Sequence, residues 1–211
     1  MRILRIMFST ALCLVVQVGE AQALTQEQMA RLVAGDALVG AVESEASGGA
    51  VRVSLLIWAP VERIWDVLLS CERSFEYVDG LRRCEFEVEG LEFARVRQTV
   101  KKHVLLPTLD YLIEFNRVPF ESIRFQRVSG DLKALEGHWT FRALDDEEAV
   151  LVTHEIRVQP SFPVPRWLVR RNMARGVPDM LYCLRAVVSG APSAARETSD
   201  RDSCPSPASP G

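Results

Sequence analysis

Residues 80–160 are built from short segments in which apolar and polar residues alternate. The segments are rich in Val, Ile, Phe, Thr and Arg, and turn residues such as Gly130 and Asp131 stand between them. Alternation with a period of two places successive side chains on opposite faces of a strand, and short turns between such runs favour hairpins. The pattern predicts an antiparallel meander of six strands. We place the strands near residues 82–89, 92–102, 109–117, 122–129, 132–144 and 148–159.

Three elements are predicted before the meander. Thr25 and Gln28 have the spacing of a capping box, and the apolar residues that follow recur at helical intervals, so residues 24–46 are expected to form a leading helix. Residues 51–57 alternate in polarity and predict a strand. Pro60 suits the first turn of a second helix.

The residues after Pro165 return to a helical period. Apolar side chains recur on one side and arginines lie mostly off it, which predicts a long amphipathic closing helix. The apolar stripe consists of Met173, Val177, Met180, Leu181, Leu184, Val187 and Val188. Pro178 lies inside this pattern and lacks a backbone donor, so we expect a kink or a restart near Gly176.

The two ends of the chain have compositions that do not suit a folded core. Residues 1–23 begin with a basic segment that contains Arg2 and Arg5, continue in an uncharged apolar run and finish with small residues around Ala23, which is the order of a secretory signal. The run is shorter than a membrane span, so we expect an exported, soluble, periplasmic protein of a bacterium. Residues 191–211 are rich in Pro and Ser and predict a disordered tail, which leaves residues 50–190 as one domain.

Four cysteines remain after removal of the signal. An oxidising compartment permits pairing, and four cysteines allow three complete pairings that the sequence does not separate. Cys71 and Cys84 flank a short segment and are the pair that we favour, with two small apolar fillers as the alternative. Cys204 lies in the tail and is expected to be free, and Cys183 is expected to be a filler on the flank of the closing-helix stripe.

Composition excludes several classes of function. The chain has 25 Lys and Arg against 28 Asp and Glu, so it has no basic surplus for neutralising phosphates and we expect no nucleic-acid partner. The histidines His103, His138 and His154 lack the spacing with Cys or carboxylates that a zinc or iron site needs, so we expect neither a metal nor a cofactor. No glycine-rich phosphate loop follows a strand, and there is no Gly-x-Ser-x-Gly elbow.

One basic cluster stands at the start of the closing helix. Its members are Arg166, Arg170, Arg171 and Arg175. Such a cluster is consistent with a transient contact with anionic lipid head groups, and the alternative is a solvated helix face.

The register of the last hairpin predicts which side chains face inward. A four-residue turn at 145–148 keeps apolar residues on one face, whereas a slip by one residue would reverse every side chain. It pairs Trp139 with His154 and Phe141 with Val152. The predicted inner face, together with the closing-helix residues expected against it, consists of Tyr111, Ile113, Phe115, Ile123, Phe125, Arg127, Trp139, Phe141, Val152, His154, Val177, Met180, Leu181 and Leu184.

Three stretches of the sequence resemble one family. They are WAPVERIWDVL at 58–68, GDLK with LEGHWTF at 130–141, and residues 160–171. Together they are similar to the polyketide cyclase/dehydrase and coenzyme-Q-binding branch of the START-like, or helix-grip, superfamily, over about residues 51–188. The resemblance implies an α+β, Bet v 1-like fold in which a curved antiparallel sheet wraps around a long C-terminal helix and encloses an apolar cavity. It also implies a ligand that is a lipid, an isoprenoid or quinone, or a polyketide-like compound.

Two polar residues of the inner face have competing interpretations. His154 has the chemistry of a hydrogen-bonding group for a carbonyl ligand or of a general acid or base, and the alternative is a core histidine satisfied by Tyr111 or the backbone. Arg127 either orients an acidic ligand or extends to the sheet end with its guanidinium in water.

Three classes of function follow. The leading hypothesis is a non-enzymatic carrier or sensor that binds an apolar small molecule in the exported compartment, because an apolar lining with few convergent polar groups suits binding better than bond breaking. The alternative is an aromatase/cyclase or dehydratase that acts on a polyketide-like substrate and uses His154 as general acid or base. A partner-binding module of the cell envelope is a third hypothesis, suggested by the leading helix and the tail.

Overall fold

The computed structural model of the chain describes residues 24–42, 48–102, 107–144, 149–190 and 204–205. The predicted signal segment and the predicted tail, apart from residues 204–205, lie outside them. The elements in chain order are α1 (Gln26–Val33), β1 (Leu38–Ala41), β2 (Gly49–Ile57), α2 (Val61–Leu69), α3 (Cys71–Ser74), β3 (Leu81–Glu89), β4 (Phe93–Val100), β5 (Leu109–Val118), β6 (Ser122–Gly130), β7 (Leu132–Ala143), β8 (Val150–Pro160) and α4 (Arg166–Val188).

The strands form one open, curved antiparallel sheet of eight strands in the described part of the chain. Their order is β1-β2-β8-β7-β6-β5-β4-β3. Strands β3 to β8 are neighbours in space as they are in sequence, which confirms the predicted meander. Strand β2 returns to pair with β8, and α4 packs against β2. The fold is therefore the predicted α+β arrangement of a curved antiparallel sheet with a long C-terminal helix.

The predicted leading helix over residues 24–46 is wrong beyond Val33. The capping box does form, since Thr25 Oγ1 accepts a hydrogen bond from Gln28 N at 3.2 Å and Gln28 Oε1 accepts one from Thr25 N at 2.9 Å. Helix α1 then ends before Gly35, whose φ of +94° suits glycine and turns the chain. The following residues form β1 along the edge of β2. Residues 43–46 of the predicted helix lie outside the described residues.

Helix α4 runs from Arg166 to Val188 without interruption, so no restart occurs near Gly176. Pro178 occupies a buried interior position of the helix. The buried stripe of α4 faces the sheet. The Met173 Sδ atom packs over Gly49 of β2, at a position that a side chain on residue 49 would occupy. The predicted amphipathic closing helix is therefore confirmed as one continuous element.

Two disulfides are present among the described residues. One joins Cys71 of α3 to Cys84 of β3, which is the pair that the sequence favours, with a Cα–Cα distance of 5.3 Å. The other joins Cys183 to Cys204 at 5.5 Å, so the expectation that Cys204 is free and Cys183 a simple filler is wrong. Cys183 lies on the buried side of α4, and Cys204 packs against the same apolar cluster. The disulfide depends on the single residue Cys204, so the overall composition of the tail does not predict it.

Two apolar clusters lie on opposite faces of the sheet. The larger one lies between the inner face, α2 and α4. Trp65 of α2 reaches into it, with its ring 5.7 Å from that of Phe141. A smaller cluster of Leu32, Leu56 and Leu151 attaches α1 to the outer face of β2 and β8. No helix in the described ranges is long and apolar enough to cross a membrane.

Candidate functional site

The β7–β8 hairpin has the predicted register. Trp139 lies opposite His154, and Phe141 lies opposite Val152. The predicted turn at 145–148 lies outside the described residues, but the ladder that leads to it fixes the pairing. Because side chains alternate along a strand, this register decides which residues of both strands face α4.

The pairing continues across the sheet, so the predicted inner-face residues share one face. Ile123 lies opposite Trp139, and Phe115 lies opposite Phe125. The apolar members pack with the four predicted residues of α4 in one cluster. It contains Tyr111, Ile113, Phe115, Ile123, Phe125, Trp139, Phe141, Val152, Val177, Met180, Leu181 and Leu184.

Burial is uneven within this cluster, which we call the inner-face cluster. Val152, Leu181 and Leu184 are fully buried. Four other members are half-buried: Tyr111 and Phe115 on β5, and Val177 and Met180 on α4. Solvent therefore reaches the inner-face cluster from the side of β5 and the middle of α4.

His154 lies inside this cluster and is 2% exposed. Its imidazole stacks on the Trp139 ring with a centroid distance of 3.7 Å, and the Phe125 ring lies at 5.7 Å. The imidazole has a hydrogen bond with the backbone of His138, whereas its Nδ1 atom has no partner among the described residues. Tyr111, the expected side-chain partner, lies three strands away. The surroundings satisfy His154 only in part.

The charge state of His154 limits its chemistry. Burial lowers the pKa of His154 from the usual 6.5 to about 3, so the imidazole is neutral at physiological pH. A neutral imidazole donates from one nitrogen and accepts at the other, but it has no proton to give as a general acid at that pH. Burial also raises the pKa of Tyr111, which stays a neutral phenol. The arrangement suits hydrogen bonding to a neutral ligand group.

Arg127 is half-buried and extends to the end of its strand. Its Nη1 atom donates to the carbonyl oxygen of Gly130 at 3.3 Å. This contact corresponds to the second interpretation of Arg127, in which the guanidinium reaches the sheet end.

Arg117 is an inner-face residue that the sequence analysis missed. It lies on β5 two residues after Phe115 and opposite Ile123, and it is 9% exposed. Its Nη1 atom donates to the carbonyl oxygen of Gly90 at 3.0 Å, and its Nε atom lacks a partner in the described part of the chain. Burial lowers the pKa of Arg117 from its ordinary value, while Glu89 opposes the shift. Side chains two residues apart on a strand point to the same face, so the inward position of Phe115 predicts that Arg117 also points inward.

The predicted basic cluster lies on the exposed side of α4. Arg166, Arg170, Arg171 and Arg175 are all exposed. Trp167 lies among them and is 64% exposed. The exposed start of α4 therefore combines positive charge with a large aromatic ring.

The outer face of the sheet carries a polar groove. A groove of about 430 Å³ crosses β5 to β8, and its lining consists of Asn116, Arg124, Phe125, Gln126, Glu136, Gly137, His138, Glu155 and Arg157. Glu155 Oε2 accepts hydrogen bonds from Arg52 Nε at 2.9 Å and Nη2 at 2.6 Å. The described residues include no group of three or more His, Cys, Asp or Glu side chains placed to hold a metal ion.

Comparisons with known proteins agree with this architecture. Residues 57–185 match the family described as polyketide cyclase / dehydrase and lipid transport. No match was found among curated protein sequences.

Many solved structures match this fold, and three of them serve as examples. A protein from Thermus thermophilus has a TM-score of 0.59 and 23% identity, over 68% of this chain and 99% of its own. The STAR-related lipid transfer protein from Xanthomonas axonopodis has a TM-score of 0.61 and 15% identity, over 72% and 92%. The Zhui aromatase/cyclase from Streptomyces sp. R1128 has a TM-score of 0.56 and 15% identity, over 66% and 93%. At these identities the likeness establishes the fold.

Proposed function

The chain belongs to the polyketide cyclase/dehydrase and lipid transport family, and we propose that it is a non-enzymatic carrier or sensor of an apolar small molecule. The ligand lies between the inner face of the sheet and α4, and it is a lipid, an isoprenoid or quinone, or a polyketide-like compound. The observation that carries the proposal is the inner-face cluster, which is apolar and continuous from β5 to α4. Small-molecule sites are mostly apolar, with a few polar groups that orient the ligand.

Two structural relatives support this ligand class. One is described as a lipid transfer protein and another as an aromatase/cyclase. Both share the sheet-and-helix fold with this chain.

His154 favours binding over catalysis. A general acid or base works best when its pKa is near the working pH, and the pKa of His154 is about 3. The Nδ1 atom of the neutral imidazole is suited to accept a hydrogen bond from a hydroxyl group of the ligand without taking its proton. This pKa supports the proposal of a carrier or sensor over that of an enzyme.

The test is binding of the neutral apolar dye N-phenyl-1-naphthylamine. The wild-type protein should bind the dye with increased fluorescence, because the dye enters the inner-face cluster. Met180→Trp should lose most of this binding, since Met180 is half-buried on the inward side of α4. Ala174→Trp, which adds the same ring on the exposed side of α4, is the matched control and should bind normally.

Two results would contradict the carrier proposal. One is wild-type protein that does not bind the dye, which would favour a partner-binding module. The other is Met180→Trp binding as well as Ala174→Trp, with both variants folded by circular dichroism.

An aromatase/cyclase or dehydratase is the second candidate function. It is supported by the unpartnered Nδ1 atom of His154, which is available to a substrate oxygen. If His154 is a general acid or base, His154→Gln should lower turnover of a polyketide-like substrate by about two to four orders of magnitude. Turnover that is absent in wild type, or unchanged in the variant, would exclude this role.

We also propose that the protein is exported to the periplasm. The signal-like residues 1–23 and the two disulfides support an oxidising compartment. Amino-terminal sequencing of the protein from its native host should begin at or near Leu24, and a retained Met1 in the soluble fraction would contradict export.

Delivery of a lipid-like ligand requires contact with a membrane, and we assign this contact to the start of α4. The cluster of Arg166, Arg170, Arg171 and Arg175 attracts anionic head groups. Trp167 suits the membrane interface, where aromatic side chains are enriched.

A further inference from the structure

Two buried side-chain nitrogens have no hydrogen-bond partner among the described residues: Arg117 Nε and His154 Nδ1. Both belong to side chains that are nine-tenths or more buried. Buried polar atoms in folded proteins are nearly always hydrogen-bonded, so an unpartnered one requires an explanation such as a ligand or an ordered water. Both side chains belong to the inner face rather than to the polar outer face.

The register places the two residues on one line across the sheet. Arg117 lies opposite Ile123, Ile123 opposite Trp139, and Trp139 opposite His154. Three strand spacings therefore separate Arg117 from His154, which is about 14 Å between their backbones. The two residues between them are buried and apolar. The line thus has a polar group at each end and an apolar middle.

The two ends differ in the ligand groups that they recognise. Arg117 is a permanent cation, and its free Nε–H suits a carboxylate, which accepts charge-assisted hydrogen bonds. Glu89 is the nearby carboxylate that acts on Arg117 electrostatically, and it forms no hydrogen bond with Arg117 among those that the structure describes. His154 is neutral and stacked on Trp139, and its N–H already donates to the backbone of His138, so the unpartnered Nδ1 atom accepts a hydrogen bond from an uncharged hydroxyl group.

We propose that the ligand is an elongated apolar carboxylic acid with a neutral oxygen at its far end. The carboxylate binds Arg117, a hydroxyl group at the far end donates to Nδ1 of His154, and the carbon skeleton crosses Ile123 and Trp139. This inference rests on the proposed function and names the ligand class for the same site. It also gives Arg117 a role as the group that selects acids over neutral lipids.

The experiment measures displacement of N-phenyl-1-naphthylamine by three probes at neutral pH. They are methyl dodecanoate, dodecanoic acid and omega-hydroxydodecanoic acid, whose extended chains are comparable in length to the backbone spacing of Arg117 and His154. Wild type should bind the acid about tenfold or more tightly than the ester, because a hydrogen bond to a charged group is stronger than a neutral one. The hydroxy acid should bind about fivefold more tightly than the acid through one neutral hydrogen bond.

Variants assign each preference to one residue. Arg117→Gln should bind the acid no better than the ester while its affinity for the ester is unchanged, and Arg117→Lys should keep the acid preference. His154→Phe should lose only the advantage of the hydroxy acid. Arg124→Gln, an arginine on the outer face of the neighbouring strand, is the matched control and should behave as wild type.

The outcomes separate this inference from the proposed function. If the dye does not bind wild type, both fail. If the dye and the ester bind but the acid binds no better, the ligand class is wrong and the carrier proposal stands. Loss of the acid preference in Arg127→Gln, with the preference intact in Arg117→Gln, would overturn the assignment to Arg117.

Discussion

At the scale of single residues, the burial of His154 affects the stability of the folded chain. Its pKa is about 3 in the folded protein and near 6.5 in an unfolded chain. Below pH 6.5 the unfolded state therefore binds a proton that the folded state does not bind. The contribution of this residue to stability is complete above pH 6.5 and is lost progressively as the pH falls towards 3.

We expect His154→Phe to weaken the pH dependence of unfolding. In wild type this residue should cost about 2 kcal/mol of stability between pH 7 and pH 5, and the variant should lack that decrease. Urea unfolding at the two pH values measures the difference. His138→Gln, at an outer-face histidine, is the matched control, and equal pH dependence in wild type and His154→Phe would contradict the assignment.

The residue scale also shows what the sequence could reveal about the site. The placement of His154 opposite Trp139 was predictable, because alternation and one turn decide it. The same parity would have placed Arg117 inside. The unpartnered nitrogens were not predictable, since they depend on side-chain packing between strands that are distant in sequence.

At the scale of elements, the correct and incorrect predictions differ in where the stabilising contacts lie. The meander and the closing helix carry their own periodicity, so their sequence predicts them. Strand β1 is only four residues long and exists because it pairs with β2, with Leu38 opposite Ser54. The local sequence of residues 38–41 does not indicate a strand, and for this reason the predicted leading helix includes these residues.

The second disulfide yields a prediction at this scale. Cys183 and Cys204 close a loop with a sequence separation of 21 residues, and restricting such a loop in the unfolded chain is worth about 3 kcal/mol. Cys204→Ser should therefore lower the melting temperature by several degrees. Non-reduced peptide mapping should join the peptides of Cys183 and Cys204, and two free thiols at these positions would refute the link. The control is a measurement of both proteins in reductant. Wild type and Cys204→Ser should then melt at the same temperature, because neither retains the link.

At the scale of the whole molecule, charge is distributed unevenly. The chain has a net charge of −3, but the exposed start of α4 carries four arginines and Trp167. An acidic protein with one basic surface approaches an anionic membrane in a defined orientation. That orientation would present α4, which covers the inner-face cluster, to the lipid.

We expect the protein to bind vesicles that contain phosphatidylglycerol and not vesicles of phosphatidylcholine alone. Each arginine near the surface contributes about 1 kcal/mol, so Arg170→Gln with Arg171→Gln should weaken binding by more than about tenfold. Arg124→Gln with Arg142→Gln removes the same charge from exposed sites on the sheet and should have little effect. Co-sedimentation at low and high salt measures vesicle binding of the two double variants. An equal loss of binding in both would indicate that overall charge, and not the start of α4, attracts the membrane.

Several links that fix α4 lie beyond Pro178. The Tyr182 hydroxyl accepts a hydrogen bond from Ala37 N at 2.8 Å, Arg185 Nη1 donates to the carbonyl oxygen of Gly35 at 3.0 Å, and Cys183 is tied to Cys204. Pro178 removes one backbone hydrogen bond at the boundary between this clamped half and the arginine-bearing half. We expect residues 166–177 to move more readily than residues 179–188, because the hydrogen bond that Pro178 removes lies between them. Amide hydrogen exchange should be faster there than in residues 181–188, and uniform exchange along α4 would mean that the helix moves as one rod.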